Sequence, residues 1–251
     1  MIRRQNRRCL AFLVLACACA GARADPNDYI LDLDFEEGEY ELEAKLGAAS
    51  STPDGTPPQQ AAAFSFGHGL SSAWFSEAYL QFANDVSGVH GGGLDSLSWE
   101  NIVRFTEQGE WPVDLGAMLE IERPRGADNG VSVTFGPLLQ TDFDLVQVNA
   151  NVLFQRVIGG YPYGTTQVGY QYQVKYRQQA KFEYGIQGFG SVGTWNSWGQ
   201  LGPQSHRLGP AVFGKFRVGP GRAIKYNAAF LFGTSSGAPS GTLRAQIEYE
   251  F

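Results

Sequence analysis

From Glu37 to its last residue the chain alternates apolar and polar side chains, and it does so in twelve separate stretches. A two-residue period places the apolar set on one face of a β-strand and the polar set on the other, whereas a helix needs recurrence near 3.6 residues. The stretches fall at about 37–48, 60–68, 73–83, 94–107, 113–122, 131–140, 145–156, 167–177, 181–192, 206–218, 223–234 and 242–251. In "VDLGAMLEIE", Val113, Leu115, Ala117, Leu119 and Ile121 share one face. In "QVGYQYQVKYR", Val168, Tyr170, Tyr172, Val174 and Tyr176 stand against Gln167, Gln171, Gln173, Lys175 and Arg177. No run approaches 18 consecutive apolar residues, so nothing here crosses a membrane as a helix.

The connections follow a rule of their own. Long ones ("SSTPDGTPPQQ", "NDVSGVHGGG", "RPRGADNG", "VIGGYPYGTT", "GTWNSWGQLGPQS", "TSSGAPSG") alternate with tight ones ("GHGLSS", "EQGE", "TDFD", "RQQ", "GPGR"). Transmembrane barrels have this asymmetry, with short periplasmic turns, longer outer loops and an even strand number. Apolar faces of twelve strands could also pair in a soluble sandwich. The aromatics favour the barrel. Tyr40, Phe66, Trp74, Phe105, Trp111, Tyr176, Tyr184, Phe216, Tyr226, Tyr249 and Phe251 gather near the tight-turn ends, as a headgroup-level girdle does. The expected fold is all-β, an antiparallel up-and-down transmembrane barrel of about 12 strands over residues 37–251.

The first residues give the compartment. "MIRRQNRRCLAFLVLACACAGARA" carries a basic start, a short apolar run and an Ala-x-Ala end, which reads as a signal peptide over 1–24. Cys9, Cys17 and Cys19 all lie in it, so the chain from Asp25 onward holds no disulfide and no cysteine metal site. Its removal lowers the basic count from 19 to 14 against 25 acidic residues, a balance that excludes nucleic acid as a partner. Residues 25–36 are too few for a folded plug. They lie either in the lumen or in the periplasm, and the domain reading takes them as a periplasmic segment.

The closing "TLRAQIEYEF" has Leu243, Ala245, Ile247, Tyr249 and Phe251 in alternation and ends on an aromatic. It resembles the C-terminal signal of bacterial outer-membrane barrels. That resemblance implies recognition of Tyr249 and Phe251 by the barrel-assembly machinery, and residence in a Gram-negative outer membrane among its lipids. "GHGLSSAWFSEAYLQF" (67–82) and "SLSWENIVRFTEQGEWPVDLGAMLEIE" (96–122) resemble hairpins of the outer-membrane transporters associated with phenol-degradation meta-pathway operons and copper resistance. The resemblance implies passage or binding of a small polar or aromatic solute. The methionine- and histidine-rich leader of the copper branch is missing, since only Met1 and Met118 are present.

Catalytic chemistry finds no support. An outer-membrane lipase needs a serine and a histidine on one lipid-facing rim. His68 falls in a tight turn and His90 in a glycine-rich loop. His206 follows Ser205, and adjacent strand residues face opposite ways. Neither His90 with Asp95 nor His206 with a loop acid has ligand spacing, so no metal or cofactor is assigned. "GVHGGG" lacks the form of a phosphate loop. Trp195, Trp198, Tyr161 and Tyr163 read as loop or headgroup contacts first and as solute contacts second.

By register the lumen carries the chemistry. Glu39, Glu41, Glu43, Glu77, Glu100, Glu120 and Glu122 line strands one to five, and Lys175, Arg177, Arg207, Lys215, Arg217, Lys225 and Arg244 line strands eight to twelve. Two arrangements follow. Either the two walls bracket a water-filled pore with a transverse field, or they meet and close it with ion pairs. The first makes a porin- or transporter-like barrel. The second makes a closed structural or adhesive barrel acting through its outer loops, and a lipid-modifying enzyme stands third.

Overall fold

The computed structural model describes residues 26–85, 93–126, 130–160 and 164–251. Twelve strands form one closed antiparallel barrel: β1 (Tyr40–Ala49), β2 (Gln59–Ser71), β3 (Trp74–Asp85), β4 (Gly93–Arg104), β5 (Asp114–Pro124), β6 (Val131–Phe143), β7 (Val146–Ile158), β8 (Thr166–Gln179), β9 (Phe182–Thr194), β10 (Ser205–Gly219), β11 (Arg222–Gly233) and β12 (Gly241–Glu250). Each strand pairs with its sequence neighbours. The seam closes β1 on β12, from Glu41 opposite Glu250 to Ala49 opposite Thr242. Beyond that ladder Tyr40 and Phe251 exchange backbone hydrogen bonds of 3.0 and 2.9 Å. Closure leaves no edge strand, so each strand pairs backbone to backbone on both sides, the condition for living in lipid.

The alternation is spent as expected. Leu42, Leu46, Phe64, Leu80, Leu97, Leu119, Ile121 and Ile247 point outward and are exposed, forming an apolar belt. Tyr40, Phe66, Trp74, Phe105, Trp111, Tyr184, Phe216 and Phe251 are exposed at the short-turn end, where the girdle was expected. Five rings stack at the seam there, with Tyr40 lying 4.1 Å from His68 and 5.8 Å from Phe251.

Two departures matter. β4 ends at Arg104, three residues earlier than its pattern suggests. Asp114 captures the following turn, accepting hydrogen bonds from Gly109 N at 2.9 Å and Thr106 Oγ1 at 3.5 Å. The second departure concerns residues 26–39. Of the two places left open by sequence, they take the lumen and not the periplasm. From Pro26 at the long-loop end the chain runs in extended form down the barrel axis to the short-turn end, where Gly38 turns it into β1 with φ 80°. The reason lies in its composition. "YILDLDF" is itself alternating, and both of its faces find partners inside.

Candidate functional site

The site is the lumen, and the segment 26–39 divides it. Tyr29, Leu31, Leu33 and Phe35 pack on an apolar patch that the wall turns inward: Phe75, Ile102, Met118, Leu138 and Leu153 of β3 to β7. Leu33 is 1% exposed and Leu138 likewise 1%, so this is a true core and not a wetted wall. Ile30 packs on a second patch, Phe189, Ala211, Phe213, Ala229 and Leu231 of β9 to β11.

Polar groups fix the register of the segment. Leu31 N donates to Gln171 Oε1 at 2.7 Å, and Asn151 Nδ2 donates to Leu31 O at 2.8 Å. Leu33 N donates to Gln140 Oε1 at 3.1 Å, and Arg104 Nη1 donates to Leu33 O at 3.1 Å. Asp34 accepts from Gln140 and Gln108 at 2.7 Å each and from Gln147 at 3.2 Å. Asp28 Oδ2 meets Arg207 Nη2 at 2.6 Å. Tyr29 donates its hydroxyl to Glu100 Oε2 at 2.6 Å, and its ring lies under the Lys45 ammonium, 3.0 Å from the centroid. At two places the wall has no room for a side chain. A Cβ on Gly47 would sit 2.2 Å from Pro26 O, and one on Gly69 1.9 Å from Glu36 O. Glycine at both ends lets the segment lie against the wall backbone.

The sequence-assigned lumen charges can now be placed. Glu77, Glu100 and Glu120 are directly opposite one another across β3, β4 and β5, and Glu122 follows towards the long-loop end. Like charges in one cross-strand row repel. The row is relieved by Tyr29 donating to Glu100 and Tyr79 donating to Glu77, with the Lys45 ammonium 3.0 Å from the Tyr79 hydroxyl. Arg244 is buried and donates to Gln187 Oε1 at 3.0 Å, with Phe189 5.2 Å away. Lys175 lies 3.8 Å from Glu183, and Arg177 pairs with Asp142 at 3.0 Å. Lys215 meets Glu250 Oε2 at 2.6 Å. Arg217 is exposed at the short-turn end, outside the ring of cavity-lining groups. Arg207 belongs to the long-loop half of the lumen, two residues into β10, and not to the half nearest the short turns.

Lys175 and Glu183 join adjacent strands, Arg177–Asp142 (β8 and β6) and Lys215–Glu250 (β10 and β12) reach over an intervening strand, and Asp28–Arg207 joins segment to wall. Along most of its length the segment stands between the acidic and basic walls, and at the β1–β12 seam the two come together, where Glu39 and Glu41 share a cavity with Lys215 and Lys225. Among the described residues, one cavity lies on the long-loop side of the segment and one on the short-turn side. The one towards the long loops has a volume of about 280 Å³ and is lined by Asp28, Tyr29, Lys45, Glu100, Glu120, Glu122, Gln155 and Gln171 among others. The one towards the short turns has about 370 Å³ and is lined by Asp32, Asp34, Glu39, Glu41, Glu43, Glu77, Lys175, Lys215, Lys225 and Glu250 among others. At its mouth Glu39 is pushed up to about 7, by burial first and then by the Glu250 carboxylate.

The same architecture occurs in solved bacterial outer-membrane barrels. An outer-membrane channel from Pseudomonas putida F1 superposes with a TM-score of 0.57 at 12% identity, over 91% of this chain and 99% of the channel. The NanC porin gives 0.55 at 10%, over 84% and 98%. The KdgM porin, solved with disordered oligogalacturonate, gives 0.51 at 8%, over 85% and 98%. No family model and no curated protein matches the sequence. At such identities the likeness establishes the fold.

Several groups of the site escaped the sequence reading. The inward apolar residues Phe75, Ile102, Met118 and Leu138 did, and so did the segment that covers them. Each lies two residues from a lumen-facing Glu77, Glu100, Glu120 or Gln140, which was the available signal. The His206 ring is held by Tyr170 Oη at 2.9 Å and Gln204 Oε1 at 2.7 Å, and the Ser235 and Thr234 hydroxyls bond its backbone N and O at 3.0 and 3.1 Å. Trp195 and Trp198 are exposed, while His90, Tyr161 and Tyr163 lie outside the described residues.

Proposed function

We propose that the chain is an outer-membrane barrel that passes or binds small solutes, with residues 26–37 lying across the path. The observation that carries this reading is the divided lumen: two polar, charge-lined cavities on one axis, separated by a segment that belongs to no strand. Its fold-mates include porins and a channel, which agrees with a non-enzymatic role. Its long loops would face outward and its short turns the periplasm. Residues 1–24 would be removed on export, and Tyr249 and Phe251 would serve as the assembly signal. The solute would be small and polar, or polar with an aromatic part. Carboxylates, amides and the Tyr29, Tyr79 and Phe189 rings line the two cavities, which holds for either kind.

A second reading has its own observation. Leu31 and Leu33 are packed as tightly as a soluble core, which suits a permanently closed structural barrel. Liposome swelling with neutral and charged solutes of graded size separates the two. Porin-like function predicts slow but measurable uptake for the full-length chain and fast uptake when residues 26–36 are deleted. Impermeability of both proteins, each shown to be inserted by its heat-shifted gel mobility, would leave the closed barrel.

A further inference from the structure

The wall grips the lumen segment by its main chain. Leu31 N donates to Gln171 Oε1 at 2.7 Å, and Leu31 O accepts from Asn151 Nδ2 at 2.8 Å. Two residues on, Leu33 N donates to Gln140 Oε1 and Leu33 O accepts from Arg104 Nη1, both at 3.1 Å. An extended chain repeats these groups on one side at every second residue, and none of the four bonds involves a leucine side chain. The wall also orders the row by itself. Asn149 Nδ2 donates to Gln140 Oε1 at 2.8 Å, and Asn151 Nδ2 donates to Gln171 Oε1 at 3.1 Å. A row fixed in advance loses less freedom when a guest binds. Asn151 Oδ1 remains buried with no hydrogen-bond partner among the described residues, so the segment does not use every acceptor of the row.

Places for side chains flank the row. Leu31 and Leu33 share one apolar cluster with Ile102, Met118 and Leu138. The Asp34 carboxylate accepts from the amide nitrogens of Gln108, Gln140 and Gln147, and Asp32 faces the cavity that holds Lys175 and Lys225. At the two ends Gly47 and Gly69 keep side chains out of the way of the passing main chain. The wall thus offers main-chain partners, an apolar patch at every second position and partners for acids between. We propose that the lumen is a receptor for extended acidic peptides with an apolar residue at every second position, and that residues 29–35 fill it as a tethered stand-in which such a peptide displaces. This rests on the solute reading above and names the class of solute.

The probe is the peptide of residues 29–35, blocked at both ends. The host is the chain from Asp25 onward carrying Leu33→Asp, which expels its own segment and is shown to be folded by heat-shifted gel mobility. Calorimetry in detergent should show saturable binding of one peptide per chain. The parent should bind it at least about tenfold more weakly, because a short tether holds its own segment at an effective concentration of about the mM range. The same peptide methylated at its two leucine nitrogens keeps every side chain and loses both donors, and it should bind at least about tenfold more weakly. Adding Gln171→Leu to the host should weaken the unmodified peptide far more than the methylated one, which a merely structural role would not do. Glucose uptake into liposomes by the same host reports the pore separately. No binding to the folded host, or equal binding of the two peptides, would overturn the receptor, and glucose uptake would then leave the solute reading standing. Peptide binding with glucose excluded would keep the receptor and remove passage. If Leu33→Asp does not fold, Leu33→Ser, which buries no charge, takes its place. Failure of both to fold would show that the place is never vacant, which overturns the receptor as well.

Discussion

The barrel wall and the segment it encloses are both alternating chains, yet they are held by different means. In the wall, backbone pairs with backbone along twelve ladders that close on themselves, four of them with local register shifts. In the segment, backbone meets side chains: Leu31 N goes to Gln171, Leu33 N to Gln140, and both carbonyls to side-chain nitrogens of Asn151 and Arg104. A ladder can be lost only by opening the barrel in lipid, where each orphaned group costs several kcal/mol. The segment can leave while its partners turn to lumen water. Alternation thus has two uses in one molecule. In the wall it separates lipid from lumen, and in the segment it separates one side of the lumen from the other.

That contrast breaks most visibly if the segment can be expelled with the wall intact. Leu33→Asp buries a charge between Ile102, Met118 and Leu138 and should release the segment altogether. Planar-bilayer recording should then show a large rise in conductance, with unchanged gel mobility and unchanged β-sheet circular dichroism. Failure of this variant to insert would mean that the segment is part of the wall's stability.

The lipid face comes next in size. Leu115→Arg and Val174→Arg should each destabilise folding into lipid by about 2–4 kcal/mol if they lie near the midplane. Glu120→Gln, on the lumen side, should cost far less. Urea titrations of folding into vesicles measure this, and equal costs for both sets would reverse the inside-outside assignment.

Asp28→Asn should cost about 1–3 kcal/mol, because the Arg207 side chain is 1% exposed and would lose its carboxylate partner. Since Asp28 belongs to the segment, the loss should show as more frequent opening in single-channel records, with the unfolding midpoint of the wall nearly unchanged.

The smallest effect expected is on ion selectivity, read in the open Leu33→Asp background. Adding Glu120→Gln and Glu122→Gln should shift the reversal potential towards anions, and adding Lys175→Gln and Lys215→Gln towards cations. Arg217→Gln should do little, because Arg217 is exposed at the rim.

Most of the wall was legible in the sequence because lipid imposes a simple code. Every second residue must be apolar, and glycine, proline or asparagine marks most returns, "TDFD" and "RQQ" excepted. Eleven further strands followed the pattern that the closing "TLRAQIEYEF" shows most plainly. The lumen was legible only as charge. A residue such as Met118 or Leu138 interrupts the polar face, and periodicity alone cannot distinguish a gap in that face from a patch awaiting a partner. "YILDLDF" carried the matching pattern, but it lies outside the strand run and pairs with no ladder. Its length argued against a plug domain, and a plug made of one extended strand needs no domain. Glu41 and Glu250 stand at opposite ends of the chain, so no spacing rule could join them. Only the closed seam does.

Hydrogen exchange followed by mass spectrometry, on the refolded chain in lipid, compares wall and segment in one experiment. Amides of β1 to β12 should exchange only at the slow rate set by opening of the barrel. Those of Leu31 and Leu33 should be protected yet exchange much faster than the wall, and Leu33→Asp should bring them to the rate of a free chain without touching the strands. Segment amides as slow as the wall, or strands that quicken together with the segment in Leu33→Asp, would contradict the account of a permanent wall around a removable core.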